Sequence, residues 1–485
     1  MRSVKRNSVQ FGMSGVDASG ILLRLICIIA VWTLSPVSAG ADETSRPNIV
    51  LIMADDLGWG DVGFHGGKAL TPNLDRLAKE GVELSQHYVA PVCSPTRTGL
   101  LTGRYWSRFG VTTPTNTLAI PYSTETLSSL LADAGYDTCL VGKWHLGSLP
   151  KWGPNHFGFQ HSYGSLAGGV SPWSHGYKEG PYRPTWHRNQ TLIEQQGHVT
   201  DLLTAEAIEW IGKREENPFF LYLPYTAVHL PLREPDSWLN RVPSGISDQV
   251  ERHYLASIMH LDDAVGQVLD ALADHQKIDR TLVVFTSDNG GSTAENNDLR
   301  YPDDGCPNGR LPGRNLPLRG QKGDVYEGGI RVPTVVWGPH FFAPRIESTP
   351  VQIVDWLPTL CHFADVDVDL KSNSSLDGSD LHDLLVEKKP LEPRVLYTAG
   401  PNWRSRAIRY GRWKLIQHKT SKMPTSELYD LESDLRETNN LAGTQGEILK
   451  QMQQRLIDVS SRDRESVVTI DRETGSRVEE SKVSP

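Results

Sequence analysis

The sequence predicts an α/β fold: a large, mostly parallel or mixed sheet flanked by helices, then a smaller C-terminal α+β lobe containing an antiparallel sheet. Three observations predict it. From about Arg46 to Ala364, short β-rich apolar runs alternate with helical patterns, as strands joined by helical crossovers do. Four of the runs carry no charge inside, as strands covered on both faces must not, and each is followed closely by polar or charged residues. Past a polar stretch around Lys371-Ser372-Asn373-Ser374-Ser375, the pattern changes to closely spaced strands and one closing helix.

The elements follow in order. Arg2, Lys5 and Arg6 precede an apolar run over 21–32, and small residues at Val37-Ser38-Ala39 and Ala39-Gly40-Ala41 offer cleavage sites. The run is short for a bilayer and Arg24 interrupts it, so residues 1–39 read as an export signal, with no integral membrane span once it is removed. The principal domain is expected over 46–370. Its first strand, Asn48-Ile49-Val50-Leu51-Ile52-Met53-Ala54, ends in Asp55-Asp56. Thr71-Pro72 opens a helix that Gly81 closes. Thr138-Cys139-Leu140-Val141 runs into Gly142-Lys143-Trp144-His145, and Phe219-Phe220-Leu221-Tyr222-Leu223 is followed shortly by His229. Apolar positions from Leu255 to Leu272 fit a long amphipathic helix. It leads to Thr281-Leu282-Val283-Val284-Phe285-Thr286, which ends in Ser287-Asp288-Asn289-Gly290. In open α/β sheets ligands sit beyond the carboxyl ends of the strands. If these four strands are parallel neighbours, their Asp, Lys, His and Asn side chains converge on one edge. The C-terminal lobe is expected over 376–462: a hairpin around Gly411, a strand at Glu427-Leu428-Tyr429-Asp430-Leu431, and a helix over 448–459. Charged, apolar-poor residues 463–485 read as a mobile tail.

Composition bounds what such a chain does. Its 485 residues are 38% hydrophobic with 13 Trp, enough for one large core or a large core plus a lobe. A formal charge of −9 argues against nucleic acid as a partner. Of five cysteines Cys27 falls in the signal, and the remaining Cys93, Cys139, Cys306 and Cys361 are too few for a disulfide scaffold.

The most informative stretch is Cys93-Ser94-Pro95-Thr96-Arg97-Thr98-Gly99-Leu100-Leu101-Thr102-Gly103-Arg104. It resembles the signature of type I sulfatases, C-x-P-x-R followed after three residues by L-T-G-R, and every fixed position matches. Ala54-Asp55-Asp56-Leu57-Gly58-Trp59-Gly60-Asp61, Val141-Gly142-Lys143-Trp144-His145-Leu146-Gly147 and Glu327-Gly328-Gly329-Ile330-Arg331-Val332-Pro333 extend the resemblance, most closely towards arylsulfatase B-like members. The resemblance implies an alkaline phosphatase-like fold and conversion of Cys93 to formylglycine by a separate maturing enzyme. The chemistry is sound by itself. A serine or cysteine that attacked sulfur would leave a covalent ester that is hard to hydrolyse. A geminal diol attacks with one hydroxyl and expels sulfate with the other. Pro95 suits the first turn of a helix, which puts residue 93 near a helix N-terminus that favours an anion. Thr96 departs from the serine common in the family but keeps the hydroxyl, so conversion is expected to persist.

Asp55, Asp56, Asp288 and Asn289 supply oxygen donors only, which suits a hard cation, Ca2+ or else Mg2+, and disfavours zinc. The resemblance assigns these four, with the diol at Cys93, to the metal. It also implies that Arg97 and Lys143 hold the diol and that His145 hydrogen-bonds it. His229 and Lys322 then reach the sulfate, His229 as general acid to the leaving oxygen. Substrate contacts are expected from two loops and the C-terminal lobe. His175 and Trp186 represent the 164–188 loop, Arg314 the 301–319 loop, and Trp403 the lobe; aromatics beside polar groups suit sugar rings. The expected activity is hydrolysis of sulfate monoesters on a sulfated polysaccharide or oligosaccharide. The expected location is periplasmic or extracellular, or a lysosomal-type compartment if the source is eukaryotic. The alternative is a phosphodiester or phosphonate ester hydrolase of the same superfamily. A non-catalytic carbohydrate-binding relative would have lost part of the metal or cation set, and none is missing.

Overall fold

Ten strands form the main sheet, in the order Arg345–Glu347, Val82–Leu84, Val335–Trp337, Thr281–Ser287, Asn48–Ala54, Phe219–Pro224, Asp137–Lys143, His161–Ser165, Trp186–Arg188 and Thr191–Leu192. The computed structural model describes residues 46–368, 376–420 and 423–468; the expected export signal lies outside the described residues. The four charge-free runs are adjacent and parallel, as the sequence predicts. Their register levels the ends: Ala54 pairs with Ser287, and Met53 with both Thr286 and Pro224. The strands beyond this centre are short and partly antiparallel, so the sheet is mixed.

Strand alternation divides the core in two. Ile49, Leu51, Met53, Phe220, Tyr222, Leu282 and Val284 face one side, where they pack with the Cys93–Thr102 and Trp356–Phe363 helices. Val50, Ile52, Leu221, Leu223, Val283 and Phe285 face the other, under the Val199–Gly212 and Gln249–Asp274 helices.

A second, antiparallel sheet follows the order Leu396–Ala399, Ser405–Tyr410, Trp413–His418 and Thr425–Asp430. The middle hairpin turns at Gly411, whose φ of 57° is left-handed, and Tyr410 pairs with Trp413 across it. The closing helix is Gly446–Ser460. This lobe does not build a separate core: Tyr397, Ile408, Leu415, Leu428, Met452 and Leu456 belong to the same buried cluster as Ile49 and Leu51. The expected boundary falls on 369–375, which lie outside the described residues.

The expected tail differs at its start. Arg464 and Ser466 donate backbone N–H bonds of 2.8 Å to the Ser107 and Arg108 carbonyls. Asp463 accepts from the Tyr397 hydroxyl at 2.9 Å. Charged residues here find fixed partners, which composition does not reveal; residues 469–485 lie outside the described part. Cys93, Cys139, Cys306 and Cys361 are all free thiols. Among the described residues no helix is long and apolar enough to cross a membrane.

Candidate active site

The site forms where the central strands end. Asp55 exchanges backbone hydrogen bonds with Ala227 and Val228 (2.8 and 2.7 Å), and Asp288 N–H bonds the Ala54 carbonyl at 3.1 Å. These bonds turn two strand ends and the 225–229 segment towards each other. Asp56 then adopts a left-handed φ of 65°, which Asp tolerates better than most residues. Its N–H reaches Asp288 Oδ1 at 3.2 Å.

The Cys93–Thr102 helix begins at the cysteine, and all ten of its residues are buried. Thr96 explains its own hydroxyl. It donates to the Asp288 carbonyl at 2.6 Å and accepts from Ala90 N–H at 2.9 Å, tying the approach to Cys93 to the end of the Thr281–Ser287 strand. Ser94 Oγ bonds the His145 carbonyl at 2.9 Å, fixing the helix start to the loop after Lys143.

One ligand atom each from Asp55, Asp56, Cys93 and Asp288 lies within 4.8 Å of the others, all in buried residues. Cys93 Sγ is 3.7 Å from Asp55 Oδ1. Three permanent cations pair with the three carboxylates. Lys143 Nζ sits 2.6 Å from Asp55, Lys322 Nζ 2.6 Å from Asp56, and Arg97 2.8 Å from Asp288. Arg97 also donates to the Lys143 carbonyl at 2.6 Å. His229 Nε2 lies 3.9 Å from Asp56 Oδ2. His145 is buried with Nδ1 unpartnered, and its ring occupies the space above Gly168, where a methyl would come within 2.3 Å of it.

Burial and charge separate the roles. Burial, then the Asp288 charge, push the Asp55 carboxyl up to about 7 against the pull of Lys143. Burial acts likewise on Asp56, but Lys322, His229 and Lys143 outweigh it and hold that carboxyl at about 2. Burial and Asp288 raise the Cys93 thiol to about 12, so as encoded it stays protonated and a poor nucleophile. Burial lowers both His145 and His229 well below the usual imidazole range. Lys143 and Arg97 reinforce this for His145, and Lys322 for His229.

The donor set fits a hard divalent cation. Asn289 Nδ2 is used, bonding Asp56 Oδ1 at 2.8 Å, while its Oδ1 is buried without a partner beside three crowded carboxylates. An unsatisfied buried carbonyl oxygen costs stability unless a cation or donor meets it.

A cavity of about 630 Å³ opens above this cluster. Cys93, His145, His229 and Lys322 form its floor, and Tyr177, Lys178, Asn297, Asp298, Arg300 and Tyr301 its walls. The structure thus brings together Asp55, Asp56, Cys93, Arg97, Lys143, His145, His229, Asp288, Asn289 and Lys322. None of the four expected substrate contacts lines the cavity. His175 bonds the Gly197 carbonyl and stacks on Trp186 at 4.6 Å, both rings buried at the sheet edge. Arg314 gives its backbone N–H to Asp61, and its guanidinium reaches the Gly66 carbonyl at 3.4 Å. Trp403 packs against the guanidinium groups of Arg406 and Arg464, 5.2 and 5.0 Å from its ring. Tyr177, Lys178 and Tyr301 belong to the loops singled out by sequence, but nothing in residue type marks which members turn inward.

Two family models match the chain: Sulfatase over residues 47–366, and N-sulphoglucosamine sulphohydrolase, C-terminal, over 321–462. Arylsulfatase J of Mus musculus is 34% identical over 395 residues, 77% of this chain and 62% of the mouse protein. Arylsulfatase A of Homo sapiens is 32% identical over 482 residues, covering 87% of this chain and 89% of the human one. Among solved structures, Ps i-CgsB in complex with k-i-k-neocarrahexaose superposes with a TM-score of 0.76. It is 31% identical, and the match covers 87% of this chain and 95% of that one. With the signature helix, the carboxylate corner and its three paired cations in one place, the chain belongs to the sulfatase family of sulfuric ester hydrolases.

Proposed function

We propose that this chain is an exported hydrolase of sulfate monoesters on carbohydrates. It acts through formylglycine made from Cys93 by a maturing enzyme, with Ca2+ bound by Asp55, Asp56, Asp288, Asn289 and residue 93. One observation carries the reading. The cysteine of the signature stands at the helix N-terminus, in the corner where three carboxylates meet three cations. Conversion to formylglycine would give this position the hydroxyl nucleophile that sulfate ester cleavage needs. The bound cation supplies positive charge to the sulfate oxygens and to residue 93. The hydrated aldehyde supplies a nucleophilic hydroxyl and, on the same carbon, a second one to release sulfate.

The chain's own groups do the rest. Arg97 is buried and fixed by Asp288 and the Lys143 carbonyl, so it holds positive charge beneath residue 93 without reorganising. Lys143 and Lys322, paired with Asp55 and Asp56, receive the charge that grows on sulfate oxygens as the ester bond breaks. His229 Nδ1 faces the Leu230 carbonyl at 2.5 Å, which places the proton of the neutral ring on Nδ1. Its Nε2 must therefore take up a proton before donating to the leaving oxygen. The negative charge of an arriving sulfate favours that uptake, whereas Lys322 opposes it in the free site. The carbohydrate assignment draws support from the oligosaccharide carried by the solved relative, and from a cavity whose wall includes Tyr177 and Tyr301. Export draws on the N-terminal pattern of basic residues, apolar run and small residues.

The test compares an aryl sulfate with an aryl phosphodiester of the same leaving group, using matured, calcium-loaded protein. The second-order rate is expected to favour the sulfate by about a hundredfold or more. A higher rate on the diester would replace this reading with a phosphodiesterase.

A further inference from the structure

Tyr301 is almost fully buried, at 6% exposure, yet it lines the cavity. Other buried tyrosines here give their hydroxyls to protein acceptors: Tyr254 to Asp61 at 2.6 Å, Tyr136 to the Pro47 carbonyl at 3.0 Å, Tyr105 to the Val395 carbonyl at 3.1 Å. That is the usual requirement for a buried phenol. Among the described residues the Tyr301 hydroxyl has no such partner, and its surroundings act on it only through charge and burial.

The hydroxyl has a defined place. A methyl on Gly169 would lie 2.7 Å from Tyr301 Oη and 3.2 Å from His229 Nδ1, so one carbon atom would touch both groups. Glycine at 169 leaves that space open. Lys322 and Asp55 are close enough to influence the phenol. Burial, then Tyr177, keep it protonated well beyond the ordinary tyrosine range, so it retains a proton to donate.

The ring is also held. Tyr177 meets it edge-on at 5.7 Å and 89°, and Lys178 Nζ lies 5.2 Å above it. Asp298 takes Lys178 at 3.0 Å and Arg300 at 2.6 Å, and Glu179 N–H bonds the Arg300 carbonyl at 2.8 Å. Two loops thereby form one wall that holds the ring in place.

We propose that Tyr301 is a substrate-contacting hydrogen-bond donor on the leaving-group side of the cavity, acting beside His229 on the ester's bridging oxygen. This rests on the sulfate-ester reading above. It explains an open glycine, a cavity-facing hydroxyl without a protein partner and a braced ring together.

The test is Tyr301→Phe in matured, calcium-loaded protein, on sulfate esters of an alkyl or sugar alcohol and of a nitrophenol. A donor to the bridging oxygen matters most where the leaving group is poor. For the alcohol esters kcat/KM is expected to fall about 10- to 100-fold. For the nitrophenyl ester the fall should stay within about 3-fold, with an unchanged thermal midpoint. Equal losses on both classes, or none on either, overturn the proposal. If the wild-type protein cleaves phosphodiesters and not sulfates, the sulfate reading fails separately, and the same pair of leaving groups on diesters decides for Tyr301. Binding of a sulfated oligosaccharide to Cys93→Ala protein gives a readout without turnover. Adding Tyr301→Phe should weaken it about 3- to 10-fold, and an unchanged Kd counts against the contact.

Discussion

Three carboxylates in one buried corner repel each other, and the site answers with Lys143, Lys322 and Arg97, each fixed on a different acid. The residues of this corner are legible in the sequence because each leaves a charge-free strand or a fixed motif, so chemistry and position are written together. Substrate contacts are not. A tryptophan or histidine in a long loop states its type but not its direction, and His175 spends its ring on Trp186 because that apolar face needs covering. Asn289 Oδ1, buried and unpartnered, gives the most testable single atom. Chelation of the divalent cation is expected to lower kcat/KM at least about a hundredfold and to lower the thermal midpoint, with calcium restoring both. At a free calcium concentration of 100 Kd the stabilisation amounts to about 2.7 kcal/mol. A midpoint indifferent to chelator and calcium would contradict a metal in this corner.

At the scale of elements, the parallel centre of the sheet was readable because strands covered on both faces exclude charge along their whole length. The edge strands are short, and Trp186–Arg188 pairs only three residues with its neighbour, too few for a pattern to show. The helices behind the sheet are joined by a polar link that no periodicity reveals. His260, on the Gln249–Asp274 helix, bonds Asp201 of the Val199–Gly212 helix at 2.9 Å and Glu234 at 2.8 Å. Trp238 stacks on it at 4.7 Å and His198 at 5.0 Å. Burial opposes its charge, but the hydrogen bonds to Asp201 and Glu234 outweigh burial and raise it to about 9. The folded value lies above the ordinary imidazole value of about 6.5. Its contribution is therefore fully present below about pH 6.5 and is lost as pH rises through about 9. Asp201 is 61% exposed, so solvent screens part of it. The urea midpoint of the wild-type protein should fall more steeply between pH 6.5 and 9 than that of His260→Gln. Parallel curves would contradict the link.

For the whole molecule, the C-terminal lobe shows how the parts are joined. Sequence marks it as a separate composition and places its hairpin, its last strand and its closing helix, but not the Leu396–Ala399 strand, and one buried cluster runs through both parts. Lys414 clasps them together, 2.9 Å from Glu327 and 2.8 Å from Glu437, all three buried. Glu327 in turn accepts from the Tyr88 hydroxyl at 2.7 Å, which reaches the segment leading to Cys93. Removing one partner of such a cluster leaves a buried charge uncompensated. Lys414→Met should cost about 3–5 kcal/mol by urea denaturation, with unfolding remaining a single transition. Two separate transitions, or a cost below about 1 kcal/mol, would mean that the lobe folds independently.

The central claim is that Cys93, once converted, is the nucleophile of a sulfate ester hydrolase. Its most direct measurement is sulfate release from an aryl sulfate by protein produced together with a formylglycine-generating enzyme, beside Cys93→Ala protein produced identically. The account predicts turnover by the first and a rate at least about 10⁴-fold lower for the second, with the same thermal midpoint. Equal sulfate release by the two proteins would contradict it.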